Sequence, residues 1–240
     1  MALIKAKRLL EKGAIEIAQS NYDQAFDYVG SALSLFRIHG DQSGEGTALA
    51  EISNILSSQG RYSEAMEHCI QALQIAQTLG NKHNEGEHLT ALGSIHYGQG
   101  NHSQAVDCYN QSIQIHQSIG NRRNEGVVIG HLATLFQEQG QSDDAINHFE
   151  QAIKIAHDVG DRASKGRHLG NLGNVFQSTG KYDEAIEYYR QAIEIHRTIG
   201  NQRAEGIVIG NLGEALFKLQ RYDEAEPAFR QAIVLGDITF

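Results

Sequence analysis

The 240-residue sequence contains no tryptophan, one proline and two cysteines, Cys69 and Cys108. Two thiols cannot build a disulfide framework, so we expect both to lie inside helix packing as small apolar residues. No apolar run approaches the roughly 20 residues that a transmembrane helix needs. The first residues alternate lysine and arginine with leucine and isoleucine, which is unlike a secretory signal. A cytoplasmic protein with no membrane partner is therefore expected.

Positive charge is also scarce. Lysine and arginine together number 20 against 29 aspartates and glutamates, which gives a formal net charge of -9. Binding to nucleic acid depends on a cationic face that displaces phosphate counterions, and the sequence contains no basic stripe. We therefore expect no nucleic-acid partner. Hydrophobic residues make up 40% of the chain, which is too much for a disordered protein.

Glycine is plentiful, and its spacing is regular. It occurs at residue 40 and then at every fortieth residue to 200, with parallel series from 46 to 206 and from 60 to 180. Alanine occupies residues 25, 65, 105, 145, 185 and 225. A fixed period of this length indicates a repeat architecture. We predict a single array of six units, at about residues 1–40, 41–80, 81–120, 121–160, 161–200 and 201–240.

Each unit is predicted to be a pair of helices. In the unit 161–200, apolar residues recur at steps of three and four on both sides of Gly180, which is helical periodicity. They are Leu169, Leu172, Val175 and Phe176 before the glycine, and Ala185, Ile186, Tyr189, Ala192, Ile193 and Ile195 after it. The loops between these segments are short, so consecutive helices should run antiparallel.

The predicted helix ends carry their own signals. Gly-Asp or Gly-Asn closes each unit except the last, so the glycine can end one helix and the next side chain can cap the following one. Second helices are expected to begin near a capping side chain, at Ser63, Ser103, Asp143, Asp183 and Asp223. The one proline, Pro227, is expected in the first turn of the last helix, where proline is tolerated.

The unit resembles the tetratricopeptide repeat in the order of its small and aromatic residues. These residues are Leu172, Gly173, Tyr182, Ala185, Tyr189 and Ala192, and in the last unit Leu212, Gly213, Tyr222, Ala225, Phe229 and Ala232. The unit exceeds the usual ~34 residues and lacks a closing proline, and longer helices joined through Gly-Asn or Gly-Asp account for both departures. The resemblance implies an all-α, right-handed superhelical solenoid of six helix hairpins.

A more specific resemblance rests on Gly166-Arg167 and on the Asn-Leu-Gly-Asn run at residues 171–174. These residues are similar to those of the scaffold family rich in Leu-Gly-Asn repeats, which includes Partner of Inscuteable. Similar long units also occur in kinesin light chains and bacterial signalling proteins. The resemblance implies a non-catalytic scaffold that binds other proteins.

The resemblance further implies that the first helices line a concave groove and that polar residues beside the Leu-Gly pair bind an extended peptide segment of a partner. The peptide-binding candidates are Asn54, Thr90, His131, Thr134, Arg167, Asn171, Asn174 and Asn211. An asparagine amide offers donors and acceptors together, and Arg167 can bind a carboxylate. Gly130, Gly170 and Gly210 are expected to leave room for the partner's backbone. In the alternative interpretation, the asparagines solvate the inner face or bond to adjacent repeats.

No arrangement typical of an enzyme is found. The twelve histidines form no His-Glu-x-x-His pair, and the glycines follow the repeat rather than a phosphate-binding loop. We therefore expect no catalytic residue, no metal and no cofactor. The alternative function is a regulatory or self-assembling segment of a larger signalling protein that stacks end to end as a homo-oligomer. The sequence reaches Phe240 without a polar capping helix, which motivates this alternative.

Overall fold

The computed structural model describes residues 1–237, and within that range it contains twelve α-helices and no strand. The helices are α1 (Ala2–Ala18), α2 (Tyr22–Ile38), α3 (Gln42–Ser58), α4 (Tyr62–Thr78), α5 (Lys82–Gly98), α6 (His102–Ser118), α7 (Arg122–Glu138), α8 (Ser142–Asp158), α9 (Arg162–Ser178), α10 (Tyr182–Thr198), α11 (Gln202–Lys218) and α12 (Tyr222–Asp237). The predicted all-α repeat fold is confirmed. Phe240, at the predicted exposed end, lies outside the described residues.

The helices form two compact units, one with α1–α6 and one that begins at Asn121 with α7–α12. In each unit an odd-numbered helix packs against the even-numbered helix that follows it, and three such hairpins stack in chain order. Consecutive odd-numbered helices, called first helices below, also touch each other within each unit. Of the helices within residues 1–237, none combines the length and apolar content that crossing a bilayer requires.

Glycine and a capping side chain end one helix and begin the next, as predicted. The glycines that close the units adopt φ between +66° and +72°, in the left-handed region that glycine enters without steric cost. Each following side chain accepts a hydrogen bond of 3.0–3.2 Å from the backbone N–H three residues later. These capping residues are Asp41, Asn81, Asn121, Asp161 and Asn201.

The predicted caps of the second helices are wrong. These helices begin at residues 22, 62, 102, 142, 182 and 222, so each proposed cap is already the second helical residue. The residues before α2, α4, α6, α8 and α10 make no side-chain cap hydrogen bond. The aspartates, such as Asp143 and Asp183, lie instead in the first turn, where negative charge interacts favourably with the helix dipole.

On four of the six first helices a glycine faces a larger side chain of the partner helix, in the pairs Gly13 with Val29, Gly93 with Tyr109, Gly173 with Tyr189 and Gly213 with Phe229. A Cβ on Gly173 would lie 2.6 Å from Cε1 of Tyr189, and one on Gly93 would lie 2.7 Å from the Tyr109 ring. The buried alanine series found in the sequence lies in the same hairpin interfaces, with Ala185 0% exposed. The interior of these hairpins therefore pairs small with large side chains, since packed cores leave little free volume.

The two cysteines are free and buried, as predicted. Burial raises the pKa of the Cys69 thiol to about 12, partly offset by a hydrogen bond with Ser53. A thiol with such a high pKa has little of the reactive thiolate form at neutral pH. Cys69 and Cys108 therefore act as apolar packing residues.

Pro227 lies inside α12 as its sixth residue, so the prediction that placed it in the first turn is wrong. Proline in this second turn lacks the N–H that would bond to the Asp223 carbonyl. We expect Pro227→Ala to restore that bond and to slow amide hydrogen exchange in α12 by about tenfold or more, equivalent to at least about 1.4 kcal/mol. The control is Glu187→Ala, at the same repeat position in α10. Unchanged exchange in α12 would show that the proline costs the helix nothing.

Candidate functional site

Each first helix exposes three positions of the repeat, and in the second unit these form a polar surface. The nine residues, which we call the first-helix face, are Val127, His131 and Thr134 on α7, Arg167, Asn171 and Asn174 on α9, and Ile207, Asn211 and Glu214 on α11. All nine are exposed or half-buried. Leu172 and Val175, which lie between them in the sequence, are 0% exposed. The helical period therefore separates the face from the core.

A cavity of about 290 Å³ opens on this face between α9 and α11. Four of the predicted peptide-binding residues line it, although they come from two different repeats: Arg167, Asn171, Asn174 and Asn211. Ala204, Ile207 and Val208 supply an apolar wall. We call this the α9–α11 cavity. It combines the Arg167 guanidinium, four asparagine side chains including the capping residue Asn201, and an apolar surface, as is typical of protein sites that bind ligands.

Arg167 and Asn171 have binding groups available within the cavity. The Arg167 side chain is exposed, and its one hydrogen bond to residues 1–237, from Nη2 to Ser164 Oγ, is 3.4 Å long. Across residues 1–237, no carboxylate lies within ion-pair distance of its guanidinium. The Asn171 amide makes no hydrogen bond within that range. A guanidinium without a carboxylate partner is well suited to bind one from another molecule.

Asn174 and Asn211 bond to each other across the two repeats. Asn211 Nδ2 donates to Asn174 Oδ1 at 3.0 Å, and the Tyr189 hydroxyl lies 2.8 Å from the same oxygen and 2.9 Å from Gln177 Oε1. The alternative in which asparagines connect adjacent repeats therefore holds for this pair. The two amides also line a second cavity, of about 430 Å³, together with Glu214 and Lys218.

The remaining candidates lie elsewhere. On α7, Thr134 Oγ1 donates to the Gly130 carbonyl at 3.0 Å. The pKa of His131, also on α7, is lowered mainly by partial burial and further by the nearby Arg167 guanidinium. In the first unit, Asn54 is exposed on α3, whereas the Thr90 hydroxyl on α5 contacts Ser112 Oγ at 2.8 Å and the Gly86 carbonyl at 3.0 Å. Both threonine hydroxyls are therefore engaged inside the protein.

The three glycines expected to admit a partner's backbone have a different environment. A Cβ on Gly130 would lie 2.1 Å from Cε1 of His168, and one on Gly170 would lie 3.3 Å from Cγ2 of Val208. The space beside these two glycines is thus filled by the first helix of the next repeat. Beside Gly210 the nearest atom, Cβ of Ala232, is 3.9 Å away.

The apolar side of the α9–α11 cavity was missed in the sequence. Ile207 is 59% exposed at a repeat position held by Thr47, Glu87, Val127 and Arg167 in other repeats. A large apolar residue at a position that is polar in three other repeats was the signal that could have identified this wall. Within the described residues, no group of three or more histidine, cysteine or acidic side chains is arranged to hold a metal ion.

Comparison with known proteins gives a consistent family match. A family model described as Tetratricopeptide repeat matches residues 6–77, 46–118, 90–158, 124–198 and 164–235, which together span most of the chain. A search of curated proteins returned no match.

Several solved structures are similar. BtubC (BKLC) from P. vanneervenii is 15% identical, with 98% of this chain and 90% of that chain covered and a TM-score of 0.73. A Rap protein complexed with Competence and Sporulation Factor is 13% identical, with 99% and 76% covered and a TM-score of 0.76. A putative kinesin light chain of Podosopora anserina with nearly identical TPR-like repeats is 20% identical, with 80% and 95% covered and a TM-score of 0.64. At these identities the likeness establishes the fold alone.

Proposed function

Because the chain belongs to the tetratricopeptide repeat family, whose members are protein-interaction scaffolds, we propose that it is a non-catalytic scaffold whose first-helix face holds an extended segment of a partner protein. The observation that carries the proposal is the α9–α11 cavity. It collects Arg167, Asn171, Asn174 and Asn211 beside an apolar wall. Within the family, the Asn-Leu-Gly-Asn run at residues 171–174 favours the Leu-Gly-Asn scaffold type.

The side-chain amides favour an extended partner segment. A helix uses its backbone N–H and C=O groups internally, whereas an extended segment presents both to its surroundings. Asn171 can donate to a carbonyl and accept from an N–H of the same segment, which holds the chain irrespective of its side chains. Each such bond contributes about 0.5–1.5 kcal/mol net, so several bonds and apolar contact could reach micromolar affinity, about -8 kcal/mol.

The remaining lining groups define what else the segment should carry. Arg167 is placed to bind a carboxylate, so an acidic side chain or a terminal carboxylate is expected in the segment. Ile207 and Val208 can cover an apolar side chain next to it. The similar Rap protein was solved in complex with Competence and Sporulation Factor, which supports the proposal that this fold can bind such a factor.

We expect Arg167→Ala combined with Asn171→Ala to weaken peptide binding by tenfold or more, a loss of at least about 1.4 kcal/mol. The probe is a peptide selected on the wild-type protein from a random peptide library, and affinity is measured by isothermal titration calorimetry. Neither side chain supports the core, so the melting temperature should change little. Asn174 is kept because its amide holds the Tyr189 hydroxyl.

The matched control is Arg190→Ala with Gln191→Ala, which removes the same two groups from the exposed side of α10. Its affinity should equal that of the wild type. If the control weakens binding and the α9 variant does not, the partner binds the second helices and the proposal is wrong.

End-to-end self-association is a second candidate function. Phe229, Ile233 and Val234 on α12 are 38%, 62% and 58% exposed, which is an apolar surface that a second copy could cover. Sedimentation velocity over a range of protein concentrations tests this function. Self-association predicts a sedimentation coefficient that rises with concentration, and a coefficient that stays at the monomer value would contradict it.

A further inference from the structure

The fifth position of the repeat carries a negative charge in four repeats and a positive charge at Lys165. Among the five first helices that follow another hairpin, four carry glutamate at the fifth position of the repeat. These residues are Glu45, Glu85, Glu125 and Glu205, and the exception is Lys165 on α9. The first helix α1 also has a lysine there, but no earlier hairpin packs against it within the chain.

The glutamates each bind a cation at the edge of the hairpin. Glu125, whose side chain is 1% exposed, accepts from Arg122 at 2.6 Å, and Glu85 accepts from Lys82 at 2.6 Å. In the other two pairs the cation is the arginine near the end of the preceding helix. These pairs are Arg37 with Glu45 and Arg197 with Glu205, both at 2.8 Å. A buried or half-buried carboxylate is thus a regular component of this edge.

The fifth repeat keeps the cation and lacks the carboxylate. Arg162 occupies the position that Arg122 has in the fourth repeat, and His157 occupies the position of Arg37 and Arg197. Neither Arg162 nor Lys165 makes an ion pair within residues 1–237. Glu194 lies across from them, but it is exposed and not within ion-pair distance of either.

These groups surround a cavity of about 630 Å³ formed by α8, α9 and α10, which we call the α8–α10 cavity. Arg162 and Lys165 lie on its α9 side, and His157 lies on its α8 side. Leu169, which is 3% exposed, and Ile195 supply apolar surface. The two cavities are separate, because they are lined by different residues of α9. Arg162, Lys165 and Leu169 line the α8–α10 cavity. Arg167, Asn171 and Asn174 line the α9–α11 cavity.

We propose that the α8–α10 cavity binds a small organic acid. The carboxylate group of this ligand lies between Arg162 and Lys165, where the other repeats place a glutamate. The apolar part of the ligand packs against Leu169 and Ile195. Carboxylate is the group that this edge binds in four other repeats, and Arg162 occupies the position from which Lys82 and Arg122 bind it in two of them. This site is independent of peptide binding on the first-helix face.

Glutarate is a suitable probe, because each of its ends reproduces the carboxylate of the missing glutamate side chain. We expect calorimetry at constant ionic strength to detect binding of glutarate to the wild-type protein. Arg162→Gln should weaken that binding by at least about tenfold. Glutamine occupies this position at Gln42 and Gln202, so the repeat accepts the substitution.

Lys165→Glu restores the glutamate of the other repeats and is the sharper variant. It should abolish glutarate binding and, without any ligand, raise the melting temperature, because Arg162 gains the partner that Arg122 has. Lys154→Glu makes the same charge change at an exposed lysine on α8 and should leave glutarate binding unchanged. Three results would overturn the proposal: no glutarate binding to the wild type, undiminished binding to Lys165→Glu, or inorganic phosphate binding as tightly as glutarate.

Discussion

Tyr189→Ala is expected to lower the free energy of unfolding by about 3–5 kcal/mol. Tyr189 is 0% exposed and is the bulkiest of the fully buried side chains among the residues that the structure describes. Its ring fills the space that Gly173 leaves on the facing helix, and its hydroxyl is held by Asn174 and Gln177. The substitution therefore creates a cavity and removes two hydrogen-bond contacts at once.

Urea denaturation followed by circular dichroism measures this loss. The matched control is Tyr188→Ala, one residue earlier, where the half-buried ring stacks on Phe176 at 5.2 Å. It should cost less than Tyr189→Ala, because a half-buried ring loses less buried surface. Equal losses for the two variants would mean that the small-to-large pairing inside the hairpin does not determine its stability.

His168→Val is expected to reduce the loss of stability that the wild-type protein shows between pH 6.5 and pH 4. His168 is 2% exposed, and neither ring nitrogen has a hydrogen-bond partner within the described residues. Burial, with further contributions from Arg167 and His131, lowers the pKa of His168 from 6.5 to about 4, while Asp161 acts in the opposite direction. Valine is the residue at this position in two neighbouring repeats, Val128 and Val208.

The direction of the effect follows from the two pKa values. Between pH 6.5 and pH 4 the unfolded chain binds a proton at this histidine and the folded protein does not, so stability falls as pH falls. The difference between the two pKa values corresponds to about 3 kcal/mol in the free energy of unfolding. Denaturation midpoints across this pH range should show a shallower slope for His168→Val than for the wild type. The control His157→Gln removes an exposed imidazole from α8, and a slope that changes only in the control would contradict the assignment to His168.

Features that repeat could be predicted from the sequence because six copies report the same local physics. The closing glycines and the capping side chains that follow them, such as Gly40 with Asp41, were read correctly. The left-handed turn itself is more general than glycine. Ser20 and Gln220 adopt φ of +61° and +60° at the position where four other repeats have glycine, so the hairpin geometry imposes this conformation.

Contacts between one repeat and the next could not be predicted as well from the sequence. The bond between Asn174 and Asn211 depends on the distance between two first helices, which no spacing along the chain reveals. The position of His168 beside Gly130 was missed for the same reason. The role of Lys165 could not be predicted from the residues that recur, because Lys165 is the residue at which the fifth repeat departs from the glutamate of four other repeats.

The central claim, that the first-helix face of the second unit binds a partner segment, is tested most directly by mapping a selected peptide on the protein by NMR. Backbone and side-chain amide shifts of the isotope-labelled protein are recorded with and without the peptide. We predict the largest changes at Arg167, Asn171 and Ile207, around the α9–α11 cavity, and little change on the exposed side of α10 at Glu187 and Gln191. Changes concentrated on α8 and α10, with α9 and α11 unaffected along this face, would contradict the account.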